Sequence, residues 1–259
     1  MTAPGEGTWP AVELGTLPRP SGAEALARSI REAVCGADAW DRGPLDMEAT
    51  CELGPFTLAQ RRLGAASGGL EGLLIPRGEE FDLVVDSEPP GGWECVSPGL
   101  RSALDRHRKR FRVAHEWAHS LFYARDSHRR LIRLVADSEA QEAFCDSFAA
   151  ALLVPPSVVA EMPPTPASVL DLQKRFDVSL EVALRAVVAD NPKVAAWLLV
   201  APEGGRPFVQ WRSGASYASS VKTGTVMLAL DGRAPGSSAE ALDMVWLGAR
   251  RQALVFART

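Results

Sequence analysis

A His-Glu-x-x-His pattern at residues 115–119 constrains this 259-residue chain more than any other feature. Apolar residues recur at helical spacing through the surrounding segment 110–122, so we predict an amphipathic helix there. His115 and His119 are four residues apart and share one face of that helix, where their imidazoles can bind a single zinc ion. Glu116 lies about 100° around the helix, which leaves its carboxylate free to act as a general base. The pattern therefore predicts a catalytic zinc site.

A catalytic zinc site needs a third protein ligand, and the next helical segment offers three carboxylates. This segment follows a cap at Ser138, has apolar residues at helical spacing and ends before Pro155. The candidate oxygen ligands for zinc in this segment are Glu139, Glu142 and Asp146. Two histidines and one glutamate form a standard catalytic set of zinc ligands. Periodicity alone leaves the choice among the three open.

Two motifs in these segments resemble the ImmA/IrrE family of zinc metallopeptidases. Residues 110–119 read Arg-Phe-x-x-Ala-His-Glu-x-x-His, and residues 142–155 read Glu-x-x-Cys-Asp-x-Phe-Ala-Ala-x-Leu-Leu-Val-Pro. The resemblance covers roughly residues 20 to 190 and implies that Glu142 is the third zinc ligand. Asp146 stands where the family usually has Asn, and Val154 where it usually has Met. Neither is a ligand position, so we expect these departures to affect packing rather than zinc binding.

The resemblance also implies a function. We expect a zinc endopeptidase that cleaves a partner helix-turn-helix transcriptional repressor and so triggers a stress, mobile-element or defence response. In this interpretation His115, His119 and Glu142 hold the metal and Glu116 transfers the proton. The alternative is a DNA- or partner-binding transcriptional regulator with a structural zinc site, which a fourth protein ligand such as Cys95 would close.

The order of elements predicts an α+β fold. Residues 1–20, rich in Pro and Gly, are predicted to be a disordered leader, and residues 21–160 a zincin-like metallopeptidase domain with a small sheet. A helix-turn-helix-like unit at 161–190 and a small β-rich regulatory module at 191–259 follow. The predicted helices are 21–34, 45–53, 110–122, the segment after Ser138, 167–176 and 179–189. The predicted strands are 56–63, 70–75, 81–85, 194–200, 208–212, 225–230, 244–247 and 252–256.

The second helix of the helix-turn-helix-like unit offers only Arg185 as a base or phosphate contact. A recognition helix usually presents several such side chains. We therefore favour packing or partner docking over DNA reading for this unit.

Charge is unevenly distributed in this chain. A net charge of −4 argues against a generic nucleic-acid binder, yet basic residues flank the predicted zinc helix. They are Arg101, Arg106, Arg108, Lys109, Arg110, Arg112, Arg125, Arg129, Arg130 and Arg133. They form either a solvated helix face or a basic cleft rim suited to an acidic substrate segment or a nucleic-acid activator. His107 and His128 are expected at the surface, with His128 also a candidate proton donor.

The cysteines and the hydropathy indicate the compartment. Cys35, Cys51, Cys95 and Cys145 show no Cys-x-x-Cys pairing and fit reduced thiols in a cytoplasmic protein. No run of about 18 uncharged apolar residues exists, so we expect no membrane span. Cys95 lies just upstream of the zinc helix, where its thiolate could occupy the open zinc position as an inhibitory plug.

Overall fold

The computed structural model describes residues 20–64, 71–88, 98–125, 130–134, 138–189, 191, 193–200, 208–214, 241–247 and 252–258. The chain divides after Pro156 into two compact units, and each is treated separately below. The predicted leader at 1–20 lies outside the described residues except for Pro20. The predicted domain boundaries at 160 and 190 remain predictions.

Among its described residues, the first unit contains four α-helices and five strands. The helices are α1 (Pro20–Cys35), α2 (Met47–Glu52), α3 (Pro98–His119) and α4 (Glu139–Leu153). The strands are β1 (Phe56–Arg61), β2 (Gly72–Arg77), β3 (Glu80–Asp86), β4 (Tyr123–Arg125) and β5 (Leu131–Arg133). This mixture of helices and small sheets confirms the predicted α+β class.

Strand β3 is central to a three-stranded sheet of order β1-β3-β2. It runs parallel to β1 and antiparallel to β2, with Leu83 opposite Leu58 on one side and Leu74 on the other. Leu83, Val84 and Val85 of β3 are all buried. Among the described strands, β2 therefore forms an edge of the sheet.

Helix α3 lies between the sheet and α4, and aromatic side chains fill this core. The Trp117 ring on α3 stacks on Phe148 of α4 with centroids 5.4 Å apart and planes 8° apart. The Trp117 ring also lies near that of Phe56 on β1, with centroids 5.6 Å apart. Such pairs contribute about 0.5–1.5 kcal/mol beyond their buried area. The apolar positions predicted for the zinc helix thus hold α3 firmly between its neighbours.

Helix α3 begins earlier than the sequence indicated, at Pro98 rather than near Arg110. The predicted start of this helix at residue 110 is therefore wrong. Asp105 forms ion pairs with Arg108 at 2.9 Å and Lys109 at 2.7 Å, one helical turn further on. These i,i+3 and i,i+4 pairs favour helix in a segment with little apolar periodicity.

A buried arginine connects α1 to the end of α4. Arg31 donates to the backbone oxygens of Trp40 at 2.6 Å, Leu152 at 2.7 Å and Gly43 at 2.7 Å, with a longer contact of 3.4 Å to Leu153. The carbonyls at the C-terminus of a helix lack intrahelical donors. Arg31 supplies such donors and places a positive charge at the negative end of the α4 dipole.

The second unit contains α6 (Pro166–Phe176), α7 (Leu180–Val188) and a four-stranded sheet, and α5 (Pro156–Ala160) begins at the division. Asp177 adopts a left-handed φ of 51° in the short turn between α6 and α7. The strands are β6 (Val194–Val200), β7 (Phe208–Gly214), β8 (Ala241–Leu247) and β9 (Gln252–Arg258). They are antiparallel in the order β7-β6-β9-β8. The strand predicted at 225–230 lies outside the described residues.

Within the described residues, none of the helices has both the length and the apolar character that crossing a membrane requires.

Candidate metal centre

The two histidines of the His-Glu-x-x-His pattern meet on the face of α3 that points towards α4. Their Nε2 atoms are 3.1 Å apart, and the rings are tilted at 66° with centroids 4.9 Å apart. His115 is buried, with 6% of its side chain exposed, and His119 is largely buried. Helical spacing alone accounts for this juxtaposition, as predicted.

The carboxylate of Glu142 on α4 lies close to both histidines, with one oxygen facing each ring. Its Oε2 lies 3.2 Å from His115 Nε2, and its Oε1 lies 3.4 Å from His119 Nε2. A tetrahedral metal with bonds of about 2.0–2.1 Å separates its ligand atoms by about 3.3 Å. The three donor groups therefore fit one tetrahedral ion. Glu142 is 51% exposed, so the cluster is open to solvent on that side.

Of the other carboxylates considered on α4, Asp146 contacts a histidine but on its opposite nitrogen. Its Oδ1 lies 2.9 Å from His115 Nδ1. If Nδ1 carries the proton and donates it to Asp146, the Nε2 lone pair of His115 faces Glu142 and is available to a metal. Burial lowers the pKa of His115, but the bond to Asp146 and nearby carboxylates raise it, and the net shift is upward.

The position of Asp146 corrects one expectation. We expected its replacement of the usual Asn to affect packing alone, but its carboxylate contacts His115, a predicted zinc ligand. The sequence offered a signal for this contact, because residues 142 and 146 are one turn apart on the same face of α4.

Glu116 lies beside this cluster in a buried setting. It is 8% exposed, and burial raises its pKa to about 7, whereas the charges of His115 and Arg112 act in the opposite direction. A carboxylate with a raised pKa exchanges protons readily near neutral pH. The arrangement thus combines a possible proton acceptor with metal-binding groups.

These groups face a cleft with a volume of about 390 Å³. Its lining residues are Glu71, Gly72, Leu73, Leu74, Arg112, His115, Glu116, His119, Tyr123, Arg133 and Glu142. Strand β2 thus forms one wall, and the β4–β5 hairpin contributes Tyr123 and Arg133. The guanidinium of Arg133 lies 5.8 Å from the Tyr123 ring centroid. Neither β4 nor β5 was predicted, because each has only three residues and little periodicity.

A buried thiol also lies close to the histidines. Ligand atoms of His115, His119 and Cys145 lie within 4.8 Å of one another, so Cys145 is a further potential metal donor. Burial raises the pKa of the Cys145 thiol, and the charges of Glu142 and Glu116 raise it further. The predicted plug Cys95 and the candidate proton donor His128 lie outside the described residues.

Several members of the predicted basic rim bond within the fold. Arg108 donates to the backbone oxygens of Asp86 and Glu88, and Arg110 donates to that of Leu45. Arg112 pairs with Glu71 at 2.7 Å. Arg112 and Arg133 are the arginines in the described cleft lining. Arg108, Arg110 and Arg112 thus bind α3 to the neighbouring segments of the fold.

One further histidine departs from expectation. His107 was expected at the surface but is buried on α3. His107 lies about two turns before His115, in the part of α3 that was not predicted to be helical.

Taken together, two histidines, a glutamate that completes their triangle and a buried carboxylate in a cleft define a metallopeptidase-type site on an α+β domain. Residues 99–187 match the family model Peptidase_M78, described as the IrrE N-terminal-like domain. The chain is also 33% identical over 116 residues to "Radiation response metalloprotease IrrE" of Deinococcus radiodurans. That match spans 42% of this chain and only 35% of the relative. Through this segment the chain is similar to the ImmA/IrrE metallopeptidases.

Proposed function

We propose that this chain is a zinc-dependent endopeptidase whose substrate is a helix-turn-helix transcriptional repressor. The observation that carries the proposal is the triangle of donor groups from His115, His119 and Glu142, with edges of 3.1, 3.2 and 3.4 Å. Two imidazoles and one carboxylate suit zinc, and three protein ligands leave a coordination position for the reaction.

His115, His119 and Glu142 would hold the metal in this proposal. Zinc, when bound, supplies a Lewis acid that polarises the scissile carbonyl and acidifies the attacking water. Glu116 accepts the proton of that water and passes it to the leaving amine. Asp146 keeps His115 in the tautomer whose Nε2 can bind the metal.

Strand β2 is the proposed docking site for the scissile segment. It is an edge strand among the described residues, and its residues 72–74 line the cleft beside Glu116. An extended peptide can pair with such an edge through backbone hydrogen bonds and thereby present its carbonyl to the site. A repressor segment would have to be extended, or become so, to be cleaved.

The identity of the substrate rests on family resemblance. The matched relative is named a radiation response metalloprotease, which supports a role in a stress response. We therefore propose that cleavage of the repressor derepresses stress or defence genes. The cytoplasm is the proposed compartment, because a repressor acts there in bacteria.

The first experiment measures the metal. Elemental analysis of the purified protein should find one zinc per chain, and His115→Ala, His119→Ala and Glu142→Ala should each lose it, because two donors hold zinc poorly. Glu139→Ala is the matched control, since Glu139 is an exposed carboxylate on the same helix. Zinc retained in Glu142→Ala but lost in Glu139→Ala would assign the third ligand to Glu139.

The second experiment measures the chemistry. The zinc-loaded protein is incubated with the helix-turn-helix protein encoded beside it, and fragments are identified by mass spectrometry. Glu116→Gln keeps the shape of the side chain but cannot accept a proton, so it should retain zinc and lose cleavage. Cleavage by Glu116→Gln at the native rate would refute the proposed mechanism. If the native protein leaves the repressor intact, the proposed substrate is wrong.

A further inference from the structure

Strand β2 lies against the side chain of Glu116 at Gly72. A Cβ atom placed on Gly72 would lie 2.8 Å from Glu116 Oε1, 2.9 Å from its Cγ and 3.1 Å from its Cδ. Carbon atoms in favourable contact are about 3.5–4.0 Å apart. The glycine therefore lets the strand lie directly against this side chain, and any larger residue would displace the carboxylate or the strand.

An ion pair fixes the same part of the strand to α3. Glu71 Oε2 lies 2.7 Å from Arg112 Nε, and both side chains are partly buried. Arg112 precedes Glu116 by one helical turn and so lies on the same face of α3. The backbone oxygen of Glu71 also accepts a hydrogen bond from Asp86 N at 2.9 Å, which ties it to β3. Gly72, the first residue of β2, and Glu71 just before it thus contact two successive turns of α3.

We propose that Gly72 is a positioning residue for Glu116. The strand backbone at Gly72 forms a wall that limits the rotamers of the Glu116 side chain, and the Glu71–Arg112 pair holds that wall in place. The carboxylate is thereby kept in the cleft that also contains His115. This inference rests on the proposed function for its catalytic meaning, whereas the contact itself can be tested without a substrate.

The contact is tested by a double-mutant cycle on the stability of the full-length protein. Gly72→Ala should lower the melting temperature by several degrees when Glu116 is present, because the new Cβ overlaps its side chain. In a Glu116→Ala background the same replacement should be neutral or stabilising, because the overlapping atoms are gone and alanine loses less backbone entropy than glycine. Equal destabilisation in both backgrounds would overturn the proposal. Gly99→Ala, at a position of α3 with open space around it, is the control for a glycine replacement without a clash.

The catalytic consequence is tested by kinetics on the zinc-loaded enzyme. Gly72→Ala should lower kcat by roughly 100-fold, since a misplacement of about 1 Å has such an effect. KM should change little, because alanine retains the backbone groups through which β2 would pair with substrate. Zinc content should stay at one per chain, and Gly99→Ala should match the native enzyme. Native kcat in Gly72→Ala would overturn the positioning role. If the native protein cleaves nothing, the proposed function fails, and the stability cycle alone decides whether Gly72 holds Glu116.

Discussion

Replacing Arg31 by methionine tests whether the buried guanidinium holds the end of α4 in place. Arg31 has no exposed surface, and it donates three short hydrogen bonds of 2.6–2.7 Å to backbone oxygens. Methionine fills much of the same volume without donating any of them. The oxygen of Leu152 would lose its donor in a buried position, whereas Trp40 and Gly43 are partly exposed and can reach water.

The magnitude follows from these three bonds. An unsatisfied buried carbonyl costs about 1–3 kcal/mol, and each of the two more accessible bonds contributes about 0.5–1.5 kcal/mol. The charge of Arg31 is poorly solvated because the side chain is buried, which lowers its pKa to about 10, and removing the charge returns part of this cost. We therefore expect a net loss of about 3 kcal/mol in the free energy of unfolding. This corresponds to a fall of about 6–12 °C in Tm.

Thermal and urea unfolding of Arg31→Met, followed by circular dichroism, measure this loss. Arg28→Met is the matched control on the same helix, because Arg28 is 60% exposed and pairs with Glu32 at 2.8 Å. Exposed pairs of this kind contribute at most about 1 kcal/mol, so this control should melt close to the native protein. An Arg31→Met variant that melts within about 2 °C of Arg28→Met, a difference of about 1 kcal/mol or less, would refute the reasoning.

Three further predictions concern the site and a thiol. Asp146→Ala should weaken zinc binding by about 10–100-fold in competition with a chelator, because His115 loses its orienting partner, whereas Asp146→Asn keeps an acceptor and should weaken it less. Equal loss in both variants would mean that zinc binding depends on the negative charge of Asp146 rather than on its hydrogen bond to His115. Removing zinc with a chelator should lower Tm, and adding zinc back should restore it, since a ligand that binds only the folded state stabilises it. A Tm that is unchanged by the chelator and by added zinc would show that the folded protein binds no metal. Cys51 is buried and its pKa is raised to about 12, so at pH 8 its thiol is protonated, and iodoacetamide should modify the half-buried Cys35 first. Faster labelling of Cys51, read by peptide mass spectrometry, would contradict its burial.

The parts of the site that the sequence could predict are those built by local spacing. His115 and His119 meet because α-helices repeat about every 3.6 residues, and the apolar positions around them fix which face of α3 is covered. The third donor differs, since it depends on how α4 lies against α3. Periodicity left three carboxylates in competition, and the family motif rather than physical reasoning favoured Glu142.

The parts that could not be predicted depend on distant residues coming together. The wall formed by Gly72 requires β2 to pack on α3, and no local sequence pattern in β2 predicts that contact. The early start of α3 was also missed, because its first turns are held by ion pairs around Asp105 instead of an apolar stripe. Strands β4 and β5 are too short to produce a periodic signal.

The division between these two groups of residues has a physical reason. A metal ligand must be of a chemical type that few residues provide, so its identity is visible in the sequence even when its partners are not. A positioning group needs only shape or one hydrogen bond, and glycine at 72 or aspartate at 146 can supply it without a distinctive pattern. Substitutions at such positions should therefore leave the metal-binding residues themselves in the chain while changing the orientation of Glu116 or His115. It follows that two relatives with the same His-Glu-x-x-His helix can differ widely in activity through residues that no motif includes.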